Sequence, residues 1–340
     1  MTQADGMAVL QTTAASSSSA KIETKRFLKY RPGQGCHVRG TALYTTGVAN
    51  SEQLFGCGDE QDGLFFGYNG ATFGVLHRNN SVDTWIAQTN WNGDKMDGNG
   101  PTGVTLDPTK GNVYRIQYQW LGFGMQYFYI ENPATGGWTL VHKKEYANAN
   151  TTPSVYNPTF PLYLAAINGS NTTNITVKSA SMVGMVQGKE VVHGERFGGD
   201  AEQSSVTSEV PVMTIRVKEH FHGRINRTHI FPDLFAAGGE NSGSKDIKFR
   251  IYANPTLTGP TSYTDVDTNT SVTEIDSSST GFSGGQELLE VITVGGQASQ
   301  VVQLPSEAGL HMGPGDRLTI TAESSQTSVA AGSFGWIEEI

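Results

Sequence analysis

The chain has 340 residues, 37% of them hydrophobic and only 16% charged, with a formal net charge of −9. That acidity gives no general attraction to phosphate backbones or anionic lipid, so nucleic acid and membrane surfaces are poor partners, and no apolar run approaches the roughly 18 residues of a membrane span. The 41 glycines, set among abundant Ser, Thr and Asn, favour short strands and turns over charged helices; the class is all-β, and the length allows two well-cored domains.

Residues 1–20 are rich in Ser, Thr and Ala, show no sustained period, and lack the basic start of a signal peptide. They read as an extended arm on a protein made in a cytoplasm. Ordering such an arm costs about 1 to 2 kcal/mol per residue, which its own apolar content does not offset. A neighbouring chain is therefore expected to hold it, within a homo-oligomer, most simply a trimer.

Residues 21–188 carry the pattern of a first β-sandwich. In DGLFFGYNGATFGVLHR, Asp62 to Arg78, the Asn69-Gly70 step is a hairpin signal that sets Phe66 opposite Phe73 and Phe65 opposite Gly74. No helix pattern follows, which sets aside a phosphate-gripping glycine loop. Tyr114, Ile116 and Tyr118 alternate with Arg115 and Gln117 in a half-buried strand, and the same phase carried onward puts Trp120 in the core. MQYFYI and WTLVHKKEY complete a meander, and PLYLAAI and NITVKSASMV close the domain. Residues 189–211, with Gly194, Gly198, Gly199 and AEQSSVTSE, read as a connector. In residues 212–340 the alternation returns at Met213, Ile215 and Val217, at Ile247, Phe249 and Ile251, and at Leu318 and Ile320. The expected fold is all-β, with two jelly-roll-like β-sandwich domains behind an N-terminal arm.

Candidate chemistry is sparse. No G-x-S-x-G elbow or other defensible nucleophile occurs, so no catalytic residue and no cofactor is assigned. Asp59, Glu60, Asp62, Asp94 and Asp97 could furnish the two carboxylates of a glycosidase, but Asp beside Gly is first of all turn chemistry. WNGDKMDGNG, Trp91 to Gly100, bunches oxygen ligands without the closing Glu of an EF-hand loop and reads as a polar surface loop. On it Trp91, Asp94 and Asp97 are the candidate glycan contacts, because an exposed ring can stack on a sugar. His220 and His222, two apart on a strand, would share a face; three chains about an axis would bring six nitrogens together as a metal site, the alternative being a pair of polar surface histidines. Cys36 and Cys57 are too few for a disulfide scaffold, and reduced thiols or one cross-strand bond both fit.

Together GDEQDGLFFGYNGATFGVLHR, TLDPTKGNVYRIQYQWLGFGMQYFYIEN and PLYLAAINGSNTTNITVKSASM resemble a module of structural proteins of tailed bacteriophages and some large DNA viruses, over most of residues 28–186. KFRIYANPTLTG, YTDVDTNTSVTEID and GDRLTITAES are similar to the β-rich outer domains of such proteins. The resemblance implies a non-enzymatic virion component, a head decoration or fibre protein or a tail or collar part, with the major capsid protein and further copies of itself as partners. It carries over no catalytic residue. The alternative is a glycan-binding or glycan-cleaving adhesion protein that contacts host surface glycan around Trp91.

Overall fold

A computed structural model describes residues 1–188, 194–241, 246–293, 297–303 and 310–339. The chain divides into two compact units, Met1–Glu190 and Val191–Ile340. Strands dominate both, with a single 3-10 turn, Gln88–Asn90, among the described residues, and no helix there is long and apolar enough to cross a membrane. The all-β expectation holds.

In the first unit the strands are β1 (Thr2–Ala4), β2 (Met7–Gln11), β3 (Ser19–Leu28), β4 (Cys36–Tyr44), β5 (Ser51–Gly58), β6 (Gly63–Asn69), β7 (Thr72–Asn79), β8 (Val82–Ala87), β9 (Asn112–Tyr118), β10 (Gln126–Glu131), β11 (Trp138–Lys144), β12 (Phe160–Asn168), β13 (Thr176–Ser179) and β14 (Met182–Val186). The larger sheet runs β1-β2-β13-β4-β9-β10-β11 with β14 also on β4; the smaller runs β3-β12-β5-β6-β7-β8. Period-two alternation turns Val38, Tyr44, Tyr114, Ile116, Phe128 and Ile130 of one sheet onto Phe55, Leu64, Phe66, Phe73, Val75 and Leu164 of the other, all buried in one core. Phe66 lies 4.9 Å from Tyr114 and 5.4 Å from Phe128 between ring centres, so the two layers interlock through rings. Fully burying each such side chain contributes about 1.5 to 3 kcal/mol.

The β6–β7 hairpin keeps its expected faces but not its register. Phe66 pairs with Val75, Tyr68 with Phe73 and Gly67 with Gly74, a slip of two residues. Gly70 has φ of 58° and Ala71 is not in the positive region, so the central pair is Gly70-Ala71 in the II′ manner rather than Asn69-Gly70 in the I′ manner. A shift of two preserves side-chain phase, and the apolar face survives it. Phe65 covers a glycine other than Gly74: its ring lies where a Cβ on Gly63 would stand.

Residues 1–20 are not a free arm. β1 and β2 form a hairpin whose turn, Asp5-Gly6, has positive φ at both positions (53° and 74°). β2 adds to β13 of the same chain, burying Val9 and Leu10. The apolar pair and the ladder hydrogen bonds supply from within the chain the stabilisation assigned above to a neighbour, which removes that argument for an oligomer.

In the second unit a four-stranded sheet orders Glu195–Val206, Ser328–Glu339, His229–Asn241 and Gln297–Gln303, and a six-stranded sheet orders Thr264–Asp265, Thr273–Asp276, Val210–Val217, Arg317–Ser324, Ile247–Ala253 and Gln286–Thr293. Much of the expected connector is thus a strand: Glu195–Val206 pairs along Ser328–Glu339, and that partner supplies what its polar sequence lacks. Glu338, fully buried, accepts hydrogen bonds from Ser271 Oγ, Val272 N, Thr273 Oγ1 and Trp336 Nε1. A buried carboxylate is tolerated because every bond is supplied.

Candidate functional site

A cavity of about 710 Å3 opens in the first unit beside the β7–β8 hairpin. β7 and β8 furnish one wall with His77, Asn79, Val82 and Thr84; Trp120, just past the end of β9, and Lys144, at the end of β11, furnish the other. The loop from Glu145 to Asn157 closes it, contributing Tyr146, Asn150, Thr152 and Tyr156.

Its walls are fixed by hydrogen bonds to that loop. Trp120 Nε1 donates to Val155 O at 3.1 Å, Asn79 Nδ2 to Pro153 O at 3.2 Å, Tyr146 Oη to Pro153 O at 3.3 Å, and His77 Nε2 to Ser154 O at 2.5 Å. Asp62, buried in the turn between β5 and β6, accepts from Asn80 N at 3.0 Å and Tyr156 N at 2.8 Å, tying the β7–β8 turn to the loop. The turn itself, Asn80-Ser81, has φ of 51° and 63°, the I′ geometry that Asn tolerates. Trp120 is braced edge-on by Tyr30 at 5.1 Å.

The cavity's electrostatics are those of a neutral to weakly basic site. Burial, then the charge of Lys144, lowers the His77 pKa to about 4, so the ring is neutral near pH 7. Burial also lowers the pKa of Lys144. No carboxylate lines the cavity. Rings at Trp120, Tyr146 and Tyr156, the last 60% exposed, alternate with amides and hydroxyls at Asn79, Asn80, Asn150, Thr84 and Thr152. Apolar faces interleaved with directional polar groups suit a ligand that has both, and a pyranose ring does.

Of the two tryptophans weighed above, the reading of Trp91 is corrected, while Trp120 is half-buried and packs against the core as expected, with its remaining surface in the cavity. Trp91 is 2% exposed and packs edge-on against Phe66 and Phe73; Trp120 lines the cavity. The strand of Tyr114, Ile116 and Tyr118 ends at Tyr118, so strand phase alone does not show that a ring two residues further on also reaches the cavity. Asp94 is buried and accepts from Met96 N, Thr102 N and Thr102 Oγ1. Burial opposes its ionisation, yet those bonds hold its pKa below the usual carboxylate value. Asp97 is exposed and accepts from Asn99 N. The segment Trp91–Gly100 is a largely exposed loop, as expected, that turns Trp91, Asp94 and Met96 inward, which corrects the expectation of an exposed ring. Asp59 caps Gln61 N and Asp62 N, and Glu60 pairs with Lys21.

His220 and His222 do not share a strand face within the chain. The strand His220–Phe221 ends before His222, whose φ of 49° places it in the turn, and His222 Nε2 meets Asn269 O at 3.2 Å. Among the described residues no group of three or more His, Cys, Asp or Glu is arranged to hold a metal. Cys36 and Cys57 are free and buried, and burial raises both thiol pKa values.

A second depression, about 410 Å3, lies on the outer face of the smaller sheet and is lined by Lys21, Glu60, Arg78, Asp83 and Tyr163 among others. Its carboxylates are occupied: Lys21 bridges Glu23 and Glu60, and Arg78 grips Asp83 through Nε at 2.6 Å and Nη2 at 2.9 Å.

No protein-family model matches the chain, and no curated protein does. Similar solved structures include the carbohydrate recognition domain of Emp46p in its metal-free form, at 9% identity over 53% of this chain and 87% of that one, TM-score 0.32. A β-1,3-glucanase from Mycobacterium marinum matches at 13% identity over 53% of this chain and 73% of that one, TM-score 0.34. A glycoside hydrolase family protein from Mycobacterium thermorestibile matches at 14% over 53% and 77%, TM-score 0.34. These matches are sugar-recognition domains and glycoside hydrolases, so the expectation of a virion structural protein without enzymatic activity finds no support among them, and at TM-scores of 0.32 to 0.34 they assign no role to this chain.

Proposed function

We propose that the first unit is a carbohydrate-binding module whose ligand enters the cavity between β7–β8 and Trp120. The observation that carries the reading is the lining: three aromatic side chains and a set of amides and hydroxyls around about 710 Å3, a volume within the usual range for small-ligand sites. Trp120 and Tyr156 would present ring faces to the apolar side of a sugar, while Asn79, Asn80 and Asn150 would meet its hydroxyls. With no carboxylate in the lining, the ligand here is a neutral or weakly anionic saccharide, and the acid pair that glycosidic cleavage uses is not part of this cavity.

Calorimetric titration of the full chain with a panel of neutral oligosaccharides tests this. Binding of at least one of them should weaken tenfold or more in Trp120→Ala and in Tyr156→Ala, with Trp91→Phe unchanged. The same mixtures assayed for new reducing ends report cleavage. Binding indifferent to both cavity substitutions would overturn the reading, and cleavage abolished by Asp83→Asn would move the active surface to the second depression.

A further inference from the structure

On the outer face of the larger sheet, β4 and β9 place Arg39 directly opposite Arg115. Their inward neighbours Val38, Tyr114 and Ile116 are buried, so both arginines point away from the core. The register continues the row in both directions: Val183 of β14 faces Arg39, Tyr129 of β10 faces Arg115, and Leu140 of β11 faces Tyr129. The adjacent row is Met185, His37, Gln117, Tyr127 and Lys143. This surface is cationic and aromatic, with half-exposed rings and two exposed apolar side chains, Val183 and Met185.

Like charges directly opposite each other across a ladder destabilise it. Acidic partners would ordinarily relieve that, yet neither Arg39 nor Arg115 makes an ion pair among the described residues. Each is held instead by rings. Arg39 lies 5.1 Å over Trp138, and Arg115 lies 5.1 Å over Tyr129 and 5.6 Å over the same Trp138, so the two guanidinium groups converge on one indole. Arg115 Nη2 also donates to Gln117 Oε1 at 2.7 Å and to His37 Nδ1 at 3.0 Å. Burial, then the charges of Arg115 and Arg39, lowers the His37 pKa. The Nε atoms of both arginines are buried without a hydrogen-bond partner, and no anion among the described residues pairs with either guanidinium.

We infer that this face is a second binding surface, for a saccharide that carries a carboxylate, with Arg39 and Arg115 clasping the carboxylate and Trp138, Tyr129 and Tyr127 supporting the sugar ring. Planar guanidinium forks match a carboxylate in two-point geometry. Tyr127 and Tyr129 lie nearly parallel, 6.2 Å apart at 23°, which offers a flat platform beside the cations. A nucleic-acid strand would need cationic contacts along its length, and within a chain of net charge −9 this face offers one arginine pair, enough for one carboxylate beside a ring. The inference does not rest on the cavity around Trp120, which is built from other side chains.

The test is a titration of the full chain with an oligogalacturonate, its carboxyl-reduced neutral counterpart, inorganic sulfate and a thymidine oligonucleotide. The oligogalacturonate should bind at least tenfold more tightly than the neutral counterpart, weaken tenfold or more in Arg39→Gln and in Arg115→Gln, and be unaffected by Lys248→Gln, which removes an exposed cation of the second unit. Trp138→Phe should weaken it severalfold, and the melting temperatures of the free variants establish that they fold. Equal affinity for the neutral counterpart, retention of affinity in both arginine variants, or tighter binding of the oligonucleotide at these residues would each overturn the inference. Sulfate binding as tightly as the oligogalacturonate would do so too, because the ring would then contribute nothing.

Discussion

Both sheets of the first unit set arginine over aromatic rings on their outer faces, and the surroundings differ. On the smaller sheet Arg78 stands 5.6 Å over Phe65, gives two nitrogens to Asp83 and a third to Asp59 O at 2.8 Å, and is 9% exposed. On the larger sheet Arg39 and Arg115 stand over Trp138 and Tyr129 without an ion pair among the described residues, the one carboxylate of the neighbouring row, Glu131, facing Trp138 across the ladder. Ring contact alone therefore does not identify a binding surface. A cation whose charge is matched within the chain serves the fold, and one left unmatched beside rings has charge to offer a ligand.

The contrast can be broken most forcefully at Asp83. Asp83→Ala should lower stability by about 2 kcal/mol, because it leaves the buried Arg78 guanidinium with the Asp59 carbonyl but no carboxylate, an effect moderated by an Asp83 side chain that is 30% exposed; a urea-induced unfolding curve of the full chain measures it. An unchanged midpoint would mean that the smaller sheet's arginine is no better matched than the larger one's.

Acid should act next. His77 sits one residue before Arg78 on the inward face of β7, and its pKa is lowered to about 4 by burial first and Lys144 second; His142 is lowered to about 4 by the same causes in the same order. Below the ordinary value of 6.5 the unfolded chain takes up protons that the folded chain refuses. Stability is therefore complete above about pH 6.5 and declines as the pH falls toward 4, by about 2 kcal/mol for His77. Melting temperatures between pH 7.5 and 4.5 should show this decline, and His77→Gln should flatten it.

The smallest effect separates the two faces most cleanly. Arg39→Gln should leave stability unchanged or raise it by up to about 0.5 kcal/mol, since it removes a like-charge cross-strand pair and keeps the stem. A loss comparable to that of Asp83→Ala would show that Arg39 serves the fold and not a ligand.

The sequence disclosed strands wherever one face was continuously apolar, as in Tyr114, Ile116 and Tyr118 or Phe249 and Ile251. It concealed those whose stability comes from a distant partner. Met7–Gln11 is held by Thr176–Ser179, and Glu195–Val206 by the strand at the far end of the chain, so a Ser-rich arm and a polar connector were read where strands lie. The Asp5-Gly6 turn was a visible hairpin signal that the bias toward Ser and Thr around it obscured. The cavity was less legible still. Trp120 looked like core by phase, which is true of its packed side but did not show the side it turns to the cavity, and Trp91 looked like surface by its polar neighbours, although a loop can carry its ring inward. Asn79-Asn80 just after an apolar strand hinted at a turn, but nothing local brings that turn to Tyr146 and Tyr156. The pairing of Arg39 with Arg115 is likewise a property of register between strands far apart in sequence.

The most direct test of saccharide binding uses the indole N–H resonances of the 5 tryptophans, assigned by single Trp→Phe variants and followed by 15N-correlated NMR during titration with a neutral oligosaccharide. The account predicts that the Trp120 signal moves with saturation while those of Trp91 and Trp336, both buried in their cores, stay in place. Saturable binding that leaves Trp120 unmoved, or no saturable shift with any saccharide of the panel, would contradict it.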